Sequence, residues 1–209
     1  MKVKLLEITP NAETLIEYAG RIAHDSNIGY YCSTLKPGGF IQNLIEWGHE
    51  SVLEHASATF LITEVSRVFS HQLVRHRLAS YTQRSQRYVS EGDSKYVLPL
   101  SVALDQDAYL LYDKFMRASK KVYKELIDLK IPKEDARFVL PNATKTEIIM
   151  TANFRQLRHM IKLRTSKHAQ WEIRYVFIWI LKVLAKECPQ VFGDLLEDAR
   201  KEKENGKVK

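Results

Sequence analysis

The chain has 209 residues, of which 45% are hydrophobic and 27% charged. That length and mix exclude a disordered or fibrous protein and suit one domain over 1–209 with its own core, ending in a frayed tail from about residue 200. Lys and Arg total 32 against 25 Asp and Glu, and this +7 charge points to phosphate-bearing partners.

The longest apolar run, Tyr175 to Leu181, is broken by Lys182. A bilayer span needs about 20 such residues, so no membrane association is expected. Cys32 and Cys188 stand far apart, with neither disulfide nor zinc spacing. Two reduced thiols and an N-terminus (MKVKLLEITP) that turns polar at once give a cytoplasmic expectation.

In chain order, Val3–Ile8 reads as a strand, and Asn11 as the N-cap of a helix through Ile22. Lys36-Pro37-Gly38-Gly39 reads as a loop. Phe40–Trp47 follows as a helix stopped by Gly48, and Ala56–Val65 as a strand rich in β-branched and aromatic residues. Val65, Val68, Phe69, Gln72, Leu73 and His76 recur at helical spacing opposite Arg67, His71 and Arg75. This predicts an amphipathic helix over Val65–Leu78. Ser80–Gln86 then reads as loop, with a strand starting at Arg87–Val89. Asp105–Lys130 carries a long helical period, Pro132 opens another helix that Pro141 ends, and Glu147–Thr151 suits a strand. Asn153 caps a helix through about Leu163. Ala169–Ala185 is apolar nearly all round, which suits deep core or a subunit interface. Helices dominate, with a few strands.

Phosphate-binding motifs of the P-loop and Rossmann kinds are absent, and the seven histidines show no i, i+4 pair, so no metal site is expected. The run RHRLASYTQRSQRY, Arg75 to Tyr88, is the chemical anomaly: four arginines and no acid. It admits three readings. One is a solvated basic face. Another is a nucleic-acid surface with Tyr81 and Tyr88 stacking on bases. The third is a clamp in which guanidinium forks grip a small-molecule phosphate and hydroxyls complete the shell. Ser85 lacks a neighbouring base, because Arg84 and Arg87 cannot act as one, so it reads as a hydrogen-bond donor rather than a nucleophile.

Arg75-His76-Arg77, seven residues, Ser85, one residue and Arg87-Tyr88 match R-H-R-x7-S-x-R-Y. This resembles the signature of the flavin-dependent thymidylate synthases. Gly48-His49-Glu50 with Glu54-His55, Arg137-Phe138-Val139-Leu140-Pro141, Asn153-Phe154-Arg155, Leu163-Arg164 and His168-Ala169-Gln170-Trp171-Glu172-Ile173 resemble further segments of that family in the same order. The likeness spans roughly Ser26 to Trp171.

The resemblance implies an α/β fold of the α+β kind, a helix-rich domain around a small, mainly antiparallel sheet, assembled as a homotetramer with shared sites. It implies methylation of dUMP to dTMP, with methylenetetrahydrofolate giving the carbon and FAD, reduced by NADPH, giving the hydride. Thymidylate synthases without flavin attack uracil with a cysteine; neither Cys32 nor Cys188 lies near a matched segment. By matched position, Gln72, Arg75, Gln83, Arg84, Ser85, Gln86, Arg87 and Arg137 would hold dUMP, with Ser85 and Arg87 at its phosphate. Arg164 would lie beside the uracil as the catalytic charge. Ser51, Arg75, His76, Arg77, Gln83, Asn153, Phe154, Arg155 and His159 would contact FAD. The start of the Asn153 helix would offer its N–H groups and dipole to an anion. Gln83 stands where some members have Glu, and His159 where others have Asn. His49 would either stack on a ring of the flavin or folate or serve only packing. No nucleic-acid partner is implied.

Overall fold

The computed structural model describes residues 1–23 and 39–205, the stretch 198–205 as backbone only. The expected loop at Lys36-Pro37-Gly38, Ser26 and Cys32 lie outside the described residues. A four-stranded antiparallel sheet has the order β1 (Lys2–Ile8), β2 (Ser57–Ser66), β4 (Lys145–Asn153), β3 (Ala79–Gln83), and helices make up most of the rest. The described residues divide into two compact units. One comprises residues 1–2, 62–75 and 82–148, the other 3–61, 76–81 and 149–209.

The second unit begins with β1 (Lys2–Ile8) and α1 (Ala12–Ala23). Asn11 does not cap α1 in the usual extended conformation; its φ is 49°. Asparagine tolerates that left-handed geometry. Next come α2 (Phe40–Glu46), closed as expected by Gly48 at φ 79°, and a 3-10 turn over Glu50–His55. β2 (Ser57–Ser66) starts in this unit, and its alternate residues Ala58 and Phe60 are fully buried. On its other face the Thr59 and Thr151 hydroxyls meet at 2.9 Å.

In the first unit, β2 changes phase. Glu64 adopts φ 62° and forms an ion pair with Lys145. After it, Val65 and Ser66 are both buried. A left-handed residue shifts the side-chain alternation by one, as a bulge does. Ser66 then accepts the Phe69 N–H at 3.1 Å and caps α3 (Arg67–Leu73). The predicted helix over Val65–Leu78 is thus only seven residues long. The strand runs on to its capping serine, and the helix stops before the like charges of Arg75 and Arg77. The readings of the next segment are exchanged as well. The Ser- and Gln-containing stretch is β3 (Ala79–Gln83), whereas 84–89 is turn. β3 is an edge strand with Ala79, Tyr81 and Gln83 half-buried, so polar residues suit it.

The first unit continues through α4 (Leu100–Ala103) to α5 (Gln106–Asp128), capped by Asp105, whose carboxylate accepts the Ala108 N–H at 2.9 Å. Met116, Ser119 and Tyr123 form its buried side. α6 (Lys133–Ala136) follows Pro132, and a 3-10 turn over Arg137–Val139 leads toward Pro141.

β4 (Lys145–Asn153) is longer than predicted and passes into the second unit. There Asn153 caps α7 (Phe154–Thr165), accepting the Gln156 N–H at 2.9 Å. α7 packs on α8 (Trp171–Glu187), and both pack on α9 (Pro189–Asn205), a helix the sequence reading passed over. Ile173, Val176, Phe177, Ile180, Leu181 and Leu184 of α8 are buried against that core. Phe154 and Phe192 meet edge to face with centroids 5.1 Å apart. Inside this apolar packing Arg158, 1% exposed, grips Asp194 bidentately at 2.6 and 2.7 Å and donates to the Val191 carbonyl.

Candidate functional site

The predicted site residues fall into two constellations, one within each unit. In the first unit the basic segment folds around two carboxylates. Arg67 Nη2 donates to the Arg84 carbonyl at 2.9 Å, and Arg84 Nε lies 3.8 Å from Glu91. Arg87 Nε donates to Glu134 at 2.9 Å, and its guanidinium lies over the Tyr88 ring, 5.7 Å from the centroid. Arg137 Nε donates to the Glu134 carbonyl at 3.1 Å. The Ser85 hydroxyl accepts the Arg87 N–H at 3.2 Å, which folds the turn back on itself. Four guanidinium groups thus gather with two acids: Arg84 and Arg87 pair with Glu91 and Glu134, and Arg67 and Arg137 bond to backbone carbonyls.

One of those acids is compromised. Glu91 is 1% exposed, and burial pushes its pKa up against the pull of the Arg84 and Arg67 charges. Glu91 Oε1 and Arg67 Nε are both buried without a hydrogen-bond partner. The cluster is thus net cationic, the electrostatics a phosphate dianion needs.

Gln83 is fixed on β3 by hydrogen bonds from its Nε2 to Ser70 Oγ (2.9 Å) and Thr146 Oγ1 (3.2 Å). These assign its amide orientation and leave Oε1 as the acceptor it can present. Gln72 donates to the Val68 carbonyl at 3.4 Å. Arg75 is exposed at the end of this unit, and Gln86 is half-buried in the turn.

In the second unit a cavity of about 570 Å³ is lined by Glu50, Glu54, Leu78, Asn153, Arg155, Gln156 and His159. Three residues expected at a flavin meet there: Asn153, Arg155 and His159. Arg155 is held by Glu54 at 2.6 Å and lies 3.9 Å from Glu50. The expected supply of free amides at the start of α7 is smaller than its position suggests. The Phe154 N–H donates to the Ala56 carbonyl at 2.8 Å, and the Gln156 N–H is taken by the Asn153 cap. Phe154 itself is fully buried, so its side chain belongs to the core. Ser51 and Arg77 are exposed, as is His49, which meets Trp47 edge-on at 6.4 Å. The donor set fits a dinucleotide cofactor: a guanidinium and an imidazole for phosphate, and two carboxylates that accept from sugar hydroxyls. Glu50 and Glu54 were missed as site residues. Their i, i+4 spacing either side of Ser51 was the available signal.

Arg164 does not line that cavity. It is half-buried near the end of α7, with Nε 2.9 Å from His76 Nε2. His76 also meets His159 edge-on, with centroids 6.3 Å apart. Burial, then the Arg164 charge and His159, holds the His76 pKa down at about 4. The imidazole is therefore neutral at physiological pH.

Cys188 is buried, and burial with the charges of Glu13 and Glu187 pushes its thiol up to about 12. It is a packed thiol and not a nucleophile at neutral pH. Among the described residues no three His, Cys, Asp or Glu side chains gather as a metal site, and no helix is long and apolar enough to cross a membrane.

Comparison with known sequences agrees with the motif. Residues 4–190 match the family model described as thymidylate synthase complementing protein. A flavin-dependent thymidylate synthase of Geobacter sulfurreducens is 42% identical over 200 residues, covering 93% of this chain and 86% of that protein. The chain belongs to the flavin-dependent thymidylate synthase family. Similar relatives of the same name occur in Mycobacteroides abscessus (43% identical, 86% of this chain, 78% of the relative) and Pyrococcus furiosus (47%, 70% and 62%). The flavin-dependent thymidylate synthase motif that begins at Arg75 is carried by β3 and the turns on either side of it, just after α3 ends at Leu73.

Proposed function

We propose that this chain, as one domain, makes dTMP by reductive methylation of dUMP in the cytoplasm. Methylenetetrahydrofolate is the carbon donor, NADPH the reductant and FAD the cofactor. The observation that carries the reading is the cationic cluster in which Arg84 and Arg87 of the family motif are joined by Arg67 and Arg137. Ser85 and Arg87 take the nucleotide phosphate, with Gln72, Arg75, Gln83, Gln86 and Arg137 completing the grip. The Arg87–Glu134 pair is about half exposed on both sides. Such a pair is worth about 0–1 kcal/mol, so exchanging it for a phosphate costs little.

Asn153, Arg155 and His159, with Ser51, Arg75, His76, Arg77 and Gln83, hold the flavin, and Glu54 releases or shares Arg155. Bound and reduced flavin supplies the hydride for the methyl group. Arg164 sets a fixed positive charge against the electron density that develops on the uracil ring. No enzyme thiol attacks the pyrimidine; the high Cys188 pKa supports this. Neither nucleic acid nor membrane is a partner.

A homotetramer accounts for the exposed apolar side chains. On α5, Leu111 is 72% and Phe115 60% exposed, and Trp171, Tyr175 and Trp179 form an open aromatic ridge on α8. Surface of this kind marks an interface. Sites shared between subunits would explain why each unit displays only part of the expected set.

Arg87→Ala tests the clamp. Loss of a charge-assisted contact of about 1.5–3 kcal/mol should weaken dUMP binding roughly ten- to hundredfold by titration calorimetry. Unchanged affinity would remove Arg87 from the site.

A further inference from the structure

His76 belongs to the motif that begins at Arg75, yet its imidazole is 7% exposed, whereas Arg75 and Arg77 on either side are open to solvent. Arg164 Nε and His76 Nε2 are 2.9 Å apart. A guanidinium has donors only. The bond therefore has one possible direction: Arg164 donates and Nε2 accepts. That fixes the tautomer, with the His76 proton on Nδ1.

The surroundings hold this arrangement. The Tyr81 hydroxyl donates to the His76 carbonyl at 2.9 Å and ties the loop that carries the ring. Burial pushes the Tyr81 pKa up to about 12, so that hydroxyl stays a donor. The charged or titratable groups facing the imidazole are Arg164 on α7, His159 one turn earlier on α7 and Tyr81 on β3. None is an acid, so nothing nearby favours an imidazolium. A protonated Nε2 would confront the Arg164 N–H donor to donor and break the bond.

We infer that His76 is the positioning residue for Arg164, a neutral acceptor that anchors the guanidinium through Nε and so sets the plane in which its Nη groups face the pyrimidine. The inference rests on the proposed role of Arg164 beside the uracil. It gives the buried histidine of the motif a task distinct from flavin contact. A guanidinium anchored at one nitrogen keeps its charge aimed without reorganising, and a displacement of about 1 Å at such a group can cost around a hundredfold in rate.

The test uses the full-length protein with FAD. His76→Phe keeps ring volume and removes the acceptor; His76→Gln restores an acceptor oxygen near the Nε2 position. His76→Phe should lower kcat for dTMP formation ten- to hundredfold. That loss should persist at saturating FAD, with occupancy of the flavin site read by flavin fluorescence. His76→Gln should recover kcat to within about fivefold of the original. In an Arg164→Ala background His76→Phe should add no further loss, because coupled residues are not additive. Nitrogen-15 NMR of the unsubstituted protein at pH 7 should show the His76 proton on Nδ1 and Nε2 bare. A protonated Nε2, a His76→Phe enzyme at full kcat, or a loss of kcat that merely follows lost FAD would each overturn the inference. A protein that forms no dTMP under any condition would instead sink the functional reading, with the tautomer still decided by NMR.

Discussion

Asp194→Asn should destabilise the protein by about 3 kcal/mol. Arg158 is 1% exposed and sits among the apolar side chains of α7, α8 and α9. Its two Nη atoms are satisfied by the Asp194 carboxylate at 2.6 and 2.7 Å. Removing one member of a buried pair leaves the other charge uncompensated, at roughly 3–5 kcal/mol. The lower end applies because the Asp194 side chain is 48% exposed and water can reach it. Burial raises the Asp194 pKa, but the Arg158 hydrogen bonds and charge outweigh that and hold it below the ordinary carboxylate range. A depressed carboxylate pKa stabilises the fold above its unfolded value, near pH 4, and the contribution vanishes as pH falls through the folded value. The variant should therefore lose the corresponding acid-side slope. Urea denaturation at matched protein concentration reads both effects. A variant within 1 kcal/mol of the original would mean that Arg158 is already hydrated.

Arg164→Ala should cost more in activity than any other single change, with kcat for dTMP formation down by about 10²–10³. That is the usual loss when a group aimed at developing charge is removed. Arg164→Lys should recover only part, since an ammonium cannot reproduce a guanidinium anchored at Nε and acting through Nη. The fold should survive, because Arg164 is half-buried near the end of α7 rather than in the core. Steady-state kinetics with dUMP varied, beside a melting curve, separate the two. A kcat within tenfold of the original would demote Arg164 to a surface charge.

What the sequence made legible follows from the reach of each signal. Local signals worked where one residue decides local geometry. Gly48 at φ 79°, Asp105 before α5 and Asn153 before α7 behave as their side chains dictate. The segment from Val65 to Val89 was misread because its determinants are long-range. The apolar period there continues from strand into helix without a break, and only Glu64 at φ 62° and the Ser66 cap mark the change. β3 is polar because it lies at the sheet edge beside β4, a fact of topology. The matched segments located Ser85, Arg87 and Arg137, of which Arg87 and Arg137 meet at Glu134, but could not reveal Arg67, Glu91 or Glu134 as their neighbours. Glu134 stands 47 positions from Arg87 and Arg67 17 from Arg84, whereas Glu91, though near Arg84 in sequence, carries no local sign of its burial. The Arg164–His76 bond joins residues 88 positions apart and was equally invisible.

The central claim is tested most directly by following dTMP formation from dUMP with methylenetetrahydrofolate, NADPH and FAD, each omitted in turn. The account predicts turnover with all four present, a yellow protein, and loss of product when any one is withheld from protein stripped of bound flavin. Product formed at full rate by flavin-free protein, or a protein that takes up no FAD, would contradict it.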